Sequence, residues 1–264
     1  MSHPERREAV ASTELASLLQ AARARTPARV FRGRLDGGYT TASALALRAD
    51  HAAARDAVHA ALDLEGPELA PVVAEHGVLA LESAASDHRE HLLRPDLGRR
   101  LSDASRGRAR ENGTHGADLQ VVIGDGLSAA AVHAQVPAVL GPLLEGARAR
   151  GWSIGRPLVV RYCRVGILND VGDLLGCGLA VLLVGERPGL ATARSLSAYV
   201  ALAPRSGHTD ADRNLISNIH EGGTVPADGV RRLLALLDAI RAAGRSGVTV
   251  KEPSESTGAE VAAR

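Results

Sequence analysis

Aromatic residues are scarce in this chain. They make up 2% of its 264 residues, with one Trp, one Phe and three Tyr. A core must therefore be built from Ala, Leu and Val, a composition that suits helices packed on a largely parallel sheet. Because 45% of the residues are hydrophobic, such a core is readily supplied, and the composition does not favour a disordered chain.

Cysteine, long apolar runs and an excess of either charge are lacking as well. The two cysteines are too few for a disulfide framework. No apolar run reaches the ~18 residues of a transmembrane helix, and residues 1–20 are too polar for a secretory signal. A net charge of +1 gives no electrostatic reason to expect nucleic acid or a membrane as a partner. We therefore expect a reduced, cytoplasmic protein that binds neither.

Four segments are predicted along the chain. A narrow apolar stripe over residues 5–25 indicates a peripheral helix, so residues 1–25 form an N-terminal helical extension. Residues 26–116 form a helical region, in which a helix begins at Thr41 after a Gly-rich loop and residues 79–110 are exposed helix or loop. Residues 117–250 form an α/β domain, and residues 251–264 a disordered tail.

Strand and helix patterns alternate in the α/β domain. Strands are predicted at 119–123, 158–162, 179–184 and 196–202, and helices at 127–135, 140–150, 171–175, 209–219 and 226–243. Strands separated by helices indicate βαβ units. The sequence therefore predicts a doubly wound, Rossmann-like α/β fold with a mostly parallel sheet.

The loop after the first of these strands is one candidate site. Gly124-Asp125-Gly126 and Ala129 follow a strand and open a helix, which matches a variant of the dinucleotide fingerprint. Asp125, however, puts a negative charge inside the turn, and the next strand leads to Arg164 rather than to a ribose-binding carboxylate. Three interpretations stay open from the residues: an ordinary turn, a loop near the polar part of a ligand, and a nicotinamide dinucleotide site.

The loop Gly185-Glu186-Arg187-Pro188-Gly189 is the second candidate, because ligands of parallel sheets bind beyond the carboxyl ends of the strands. Pro188 removes a backbone donor and fixes the chain direction. Glu186 is then placed to accept hydrogen bonds from a ligand, with Arg187 compensating its charge. The alternative is a Glu186–Arg187 salt bridge that caps the sheet edge.

The remaining polar residues do not make a convincing catalytic set. His208 and Asp212 have a spacing that suits a metal, but no third ligand is evident, so a polar helix face against a ligand or subunit is favoured. His88 and His91 are expected on a solvated face. Cys163 and Cys177 have no neighbouring base and are expected to be buried thiols. This gap indicates that any chemistry belongs to a cofactor or to another chain.

Six blocks of sequence, in order, resemble the small (light) subunit of ethanolamine ammonia-lyase. The resemblance covers roughly residues 26–243. The blocks are LRADHAAARDAV (47–58), VVIGDGLSA (121–129), RVGILNDVGDLL (164–175), LLVGERPGL (182–190), SLSAY (195–199) and DADRNLISNIHEGGTVP (210–226).

The resemblance implies a subunit of an adenosylcobalamin-dependent lyase that converts ethanolamine to acetaldehyde and ammonia. It implies a hetero-oligomer with a barrel-type large subunit that carries the catalytic residues, in the cytoplasm or a bacterial microcompartment. The small subunit seats the cobalamin, with contacts that fall on Val165, Glu186 and Leu215 here. The family pattern has Cys at the third position, so Leu215 keeps that contact only if backbone atoms make it. The alternative is a stand-alone nucleotide-binding oxidoreductase that uses Gly124–Ala129.

Overall fold

The computed structural model describes residues 14–15, 17–25, 34–35 and 38–253 of the chain. Residues 14–15 and 17–24 are helical, as predicted for this part of the N-terminal extension. The beginning of that predicted helix, and the predicted tail from residue 254 onward, lie outside the described residues.

After residue 25, the described part of the first half contains short strands and four α-helices. The helix predicted from Thr41 is confirmed, and it begins there because the Thr40 hydroxyl caps it by accepting from Ser43 N. The elements are β1 (Arg34–Leu35), β2 (Gly38–Tyr39), α1 (Thr41–His59), α2 (Ala70–His76), β3 (Leu79–Glu82), α3 (His88–Leu93), a 3-10 turn (Leu97–Arg99) and α4 (Asp103–Asn112).

The second half alternates as predicted. Its elements are β4 (Leu119–Gly124), α5 (Ala129–Ala149), β5 (Leu158–Arg161), α6 (Ile167–Leu175), β6 (Leu179–Gly185), β7 (Leu196–Leu202), a 3-10 turn (Asp210–Asp212), β8 (Asn214–Ile219) and α7 (Pro226–Ala243).

Three sequence-based predictions of secondary structure are wrong. The helix expected over 209–219 is a single 3-10 turn capped by Thr209 and then strand β8, because pairing with β7 extends this segment and buries Ile216 and Ile219. The two helices expected at 127–135 and 140–150 are one helix, α5, which continues through Pro137 and Pro142 because its buried face packs on the sheet. Residues 79–82, expected as exposed helix or loop, are strand β3.

The α/β fold with a mostly parallel sheet is confirmed. Six strands lie in the order β3-β5-β4-β6-β7-β8. The pairings β3–β5, β5–β4 and β4–β6 are parallel, whereas β7 runs antiparallel to both β6 and β8. The division near residue 116 stays a proposal about domain organisation, and β3 joins the sheet from before that boundary.

Helices cover both faces of the sheet. Along β4, Val121 and Ile123 pack into a core with α5 and α7, while Val122 points to the other face and packs with α4 and α6. This alternation follows from the two-residue repeat of a strand. Because both faces are apolar, strands β4 and β6 are buried throughout, as their continuous aliphatic runs indicate.

The connections from strands to helices create a crevice at one end of the sheet. The helix that follows β4 lies on one face and the helix that follows β5 lies on the other. A crevice therefore opens between the loops that follow these strands, at the carboxyl ends, which is the position where such sheets bind ligands.

Candidate functional site

A cavity of about 350 Å³ lies at this end of the sheet. Val165, Glu186 and Leu215, the three residues singled out as cofactor contacts, all line it. They come from separate segments: the loop between β5 and α6, the loop after β6, and strand β8. The fold thus brings together three positions that lie up to 50 residues apart in the sequence.

Strands β7 and β8 form the floor of the cavity. Ser197, Tyr199, Leu215 and Ser217 line it from β7 and β8, while their neighbours Ala198 and Ile216 point into the core on the opposite face. Leu215, on the edge strand β8, keeps 44% of its surface exposed. The floor therefore combines the apolar surface of Leu215 and the Tyr199 ring with the hydroxyls of Ser197 and Ser217.

Glu186 lies beside this floor and is held in place by hydrogen bonds from β7 and β8. Its Oε1 accepts from Ser197 Oγ at 2.7 Å and from Asn218 N at 2.8 Å. Oε2 makes no hydrogen bond in the part of the chain that the structure describes. The predicted alternative, a salt bridge to Arg187, is absent within the same residues, since Glu186 binds Ser197 and Asn218 instead. One carboxylate oxygen is fixed and the other is available to a ligand.

A β-bulge presents the backbone amide that Glu186 binds. The register between β7 and β8 shifts between Leu196 and Ala198, and Asn218 adopts a left-handed conformation with φ of 60°. Such a bulge leaves a residue outside the ladder and redirects its backbone. Here the redirected amide of Asn218 faces Glu186.

The glycines of the Gly124-Asp125-Gly126 turn are explained by packing within the chain. A Cβ atom on Gly124 would lie 2.7 Å from Cys163 Sγ, and one on Gly126, where φ is +58°, would lie 2.4 Å from Gly185 O. These glycines let the loops after β4, β5 and β6 pack together. The close approach that the fingerprint reserves for a pyrophosphate is occupied by the neighbouring strand.

Asp125 fastens the loop after β4 to the loop after β5. Its carboxylate is buried and accepts from Tyr162 N at 2.7 Å and from Cys163 N at 2.8 Å. Burial raises the pKa of this carboxyl, and the two amide donors oppose that rise. Tyr162 has a φ of 58°, a left-handed conformation that a non-glycine residue adopts at a cost. Asp125 thus fixes the chain that leads directly to Arg164 and Val165.

The backbone N–H groups that would bind a dinucleotide already donate hydrogen bonds within the chain. Leu127 N donates to Gly185 O, Ser128 N donates to Asp125 O, and Ala131 N donates to the Ser128 carbonyl and hydroxyl. A pyrophosphate at a helix N-terminus needs free amides of this kind. The geometry therefore disfavours the oxidoreductase interpretation of Gly124–Ala129.

Buried His91 and partly buried Arg164 connect the loops beside the cavity. The His91 Nε2–H donates to Gly126 O at 2.7 Å, and Arg164 Nη2 donates to His91 O at 2.8 Å. Desolvation lowers the pKa of both His91 and Arg164. The prediction that His91 lies on a solvated face is wrong: it is 1% exposed, because its helix α3 turns this ring inward against the turn at Gly126.

The prediction of buried thiols is confirmed. Cys163 and Cys177 are free and buried. Burial raises the pKa of the Cys163 thiol, and it raises the pKa of Cys177 to about 11. Neither thiol has the depressed pKa that a nucleophile requires.

Two further classes of site find no support in the described residues. No group of three or more His, Cys, Asp or Glu side chains converges there to hold a metal ion. His208 precedes a 3-10 turn and Asp212 ends it, so the two do not share a helix face. No helix among those residues has both the length and the hydropathy to cross a membrane.

Sequence reasoning missed three residues of the site. Tyr199 and Ser197 lie on β7, and Asn218 contributes a backbone amide from the bulge in β8. Alternation along residues 196–202 could have placed Ser197 and Tyr199 on one face. No sequence pattern predicts the bulge at Asn218.

The family model described as ethanolamine ammonia-lyase light chain (EutC) matches residues 16–251. Similar curated proteins carry the name ethanolamine ammonia-lyase small subunit. That of Clostridium perfringens is 38% identical over 229 residues, which cover 87% of this chain and 76% of the relative. That of Rhodopseudomonas palustris is 43% identical over 232 residues, covering 87% and 88%. That of Ralstonia nicotianae is 42% identical over 243 residues, covering 89% and 88%.

Proposed function

The chain belongs to the ethanolamine ammonia-lyase light-chain family, and from that premise we propose that it seats adenosylcobalamin against a catalytic large subunit. It is an ammonia-lyase subunit, and therefore part of a carbon–nitrogen lyase. The assembled enzyme converts ethanolamine to acetaldehyde and ammonia in ethanolamine degradation, in the cytoplasm or within a bacterial microcompartment. The catalytic residues belong to the large subunit.

The observation that supports this proposal most directly is the shared cavity of Val165, Glu186 and Leu215. A cavity of about 350 Å³ accommodates a small ligand or one edge of a larger one. A corrinoid is several times larger than this volume. This chain therefore covers one edge of the corrinoid, and a companion chain must cover the rest.

The lining residues fit the edge of a corrinoid chemically. Its periphery carries neutral amide side chains on an apolar ring. Leu127, Val165 and Leu215 supply apolar contacts, and Glu186 supplies an acceptor for an amide N–H. Leu215 contributes dispersion contacts and backbone groups in place of the thiol of the family pattern. A site with these features binds through shape and a few placed polar groups.

If the cofactor supplies the chemistry and this chain supplies binding, the lack of a catalytic set in this chain is explained. When bound, adenosylcobalamin supplies radical chemistry through cleavage of its cobalt–carbon bond. The residues of this chain hold the ring edge in a fixed position, and their contribution is binding and orientation. Glu186 orients an amide, Val165 and Leu215 exclude water from the apolar edge, and Asp125 keeps the Val165 loop in place.

The test is the cobalamin affinity of the co-expressed complex of this chain with its large subunit. Glu186→Gln keeps an acceptor for Ser197 and Asn218 but removes the charge, and Glu186→Ala removes both. We expect Glu186→Ala to weaken binding by about 1–3 kcal/mol, or about 5- to 140-fold in dissociation constant, with a smaller loss for Glu186→Gln.

Two further variants separate binding from local structure. Ser197→Ala removes one internal partner of Glu186 and leaves its charge, so a small effect is expected. Glu145→Gln changes an exposed carboxylate on α5, outside the cavity, and should leave affinity unchanged. If all four variants bind cobalamin as tightly as the unmodified complex, the chain only braces the large subunit and the proposal fails.

A further inference from the structure

A second cavity of about 640 Å³ adjoins the first and shares Arg164 and Val165 with it. It lies between the start of α6, the 3-10 turn at Leu97–Arg99 and the segment that precedes β8. Its lining includes Arg99, Arg100, Arg213 and His208. None of these four residues takes part in the cobalamin contacts proposed above.

Positive charge is in excess in this cavity. Four arginines line it, Arg164 among them, against the two carboxylates Asp170 and Asp210. Asp170 is already engaged, since it accepts from Leu101 N and forms an ion pair with Arg106, which is not part of the lining. The cavity therefore carries an uncompensated positive charge that favours an anion.

Arg213 is the residue that points most strongly to a ligand. It is 8% exposed. Its Nη1 donates to Asp210 Oδ1 at 2.5 Å and its Nη2 to Asn169 Oδ1 at 2.8 Å, while its Nε is buried without a partner in the described part of the chain. Buried donors of a charged group are rarely left unsatisfied. A missing acceptor is the simplest physical explanation.

Two more buried nitrogens on this cavity lack partners in the same part of the chain. They are Arg164 Nε and His208 Nδ1. Each comes from a different segment, so no single local contact could satisfy all three. An anion such as phosphate offers several acceptor oxygens, and a guanidinium matches a phosphate particularly well.

We propose that this second cavity binds a phosphate group. The inference rests on the proposed function for its preferred source, the phosphodiester in the nucleotide arm of cobalamin, because the two cavities share Arg164 and Val165. A free phosphate would offer the same oxygens. Arg213, Arg164 and His208 are the inner donors, and Arg99 and Arg100 supply charge at the exposed margin.

The first arm of the test titrates inorganic phosphate into the full chain, followed by backbone amide shifts in ¹⁵N spectra, with sodium chloride at matched ionic strength as the reference. Phosphate should shift amides around Arg213 and Val165. Arg213→Gln should weaken phosphate binding about tenfold or more, as expected for the loss of a hydrogen bond from a charged donor, and Arg213→Lys should weaken it less.

Arg99→Gln is a second variant that keeps the test valid if Arg213→Gln fails to fold. Arg99 is exposed and lies at the margin of the cavity, so its replacement should not disturb folding. It should weaken phosphate binding by a few-fold at low salt. Arg148→Gln is the matched control. It removes an exposed arginine from α5, on the opposite face of the sheet, and should change nothing.

The second arm uses the complex with the large subunit and compares cobalamin with cobinamide, which lacks the nucleotide arm, and with cobinamide phosphate. If the phosphodiester is the ligand, Arg213→Gln weakens cobalamin and cobinamide phosphate but leaves cobinamide unchanged. If phosphate binds and all three corrinoids respond equally to the variant, the cavity takes free phosphate.

The proposal is overturned if phosphate produces no shift beyond that of chloride and the preference for cobalamin over cobinamide is the same with and without Arg213. Such a result leaves the role of Glu186 untouched, because cobinamide keeps the ring edge. Conversely, if the complex binds no corrinoid at all, the proposed function is wrong. The phosphate titration then still tests whether the second cavity binds phosphate.

Discussion

Replacement of Asp125 by Asn should weaken the contact between the loops after β4 and β5, which line the proposed cobalamin cavity. The carboxylate accepts two backbone N–H groups, from Tyr162 and Cys163, at 2.7 and 2.8 Å. Asn offers one acceptor and turns an NH₂ group toward the other amide, so one buried donor is left unsatisfied. Loss of one hydrogen bond to a charged acceptor costs about 1.5–3 kcal/mol, and the other bond becomes weaker.

We therefore expect Asp125→Asn to lower the free energy of unfolding by about 2–3 kcal/mol, net of the relief from burying one charge less. For a chain of this size the melting temperature should fall by about 4–12 °C. Urea unfolding followed by the fluorescence of the single tryptophan, Trp152, measures the change. Asp56→Asn, an exposed substitution on α1, is the control and should stay within about 0.5 kcal/mol. A loss below about 0.5 kcal/mol for Asp125→Asn would show that Asp125 does not fasten these loops.

Two other predictions concern packing and thiol chemistry. Gly185→Ala should destabilise the fold by about 1–3 kcal/mol, because a Cβ there would lie 2.1 Å from Ser128 O. The same urea unfolding assay measures this change, and an unchanged midpoint would contradict the close packing of the loops. Burial raises the pKa of Cys177 from 9.0 to about 11, so the folded state keeps a proton that the unfolded chain loses. This group alone should therefore lower stability by about 2 kcal/mol between pH 9 and 11. Cys177→Ala should remove this part of the pH dependence and leave the part that the buried Cys163 contributes. Native protein should resist thiol reagents until it unfolds, and rapid labelling at neutral pH would refute the burial.

The fold was predictable where the hydrophobic pattern decides the structure. The aliphatic runs at Leu119–Gly124 and Leu179–Gly185 are buried on both faces, so their burial follows from their composition. The pattern failed over 209–219, where Thr209 gives a genuine cap signal but the turn it caps ends after three residues. Pairing with β7, which is a long-range interaction, then decides that the next segment is a strand.

The candidate site was only partly predictable for the same reason. Glu186 stands out locally, because a carboxylate that ends a buried strand needs an explanation. Asp125 stands out too, but its partners Tyr162 and Cys163 lie 37 and 38 residues away, so its structural role depends on contacts that periodicity does not reveal. The burial of His91 and Arg213 likewise depends on how α3 and the turn before β8 fold back on the sheet.

The most direct measurement is a density map of this chain in complex with its large subunit and adenosylcobalamin. The account predicts that one edge of the corrinoid lies on Val165 and Leu215, with a ring amide about 2.7–3.2 Å from a carboxylate oxygen of Glu186. A corrinoid bound well away from this cavity, with Glu186 facing solvent or the large subunit alone, would contradict it.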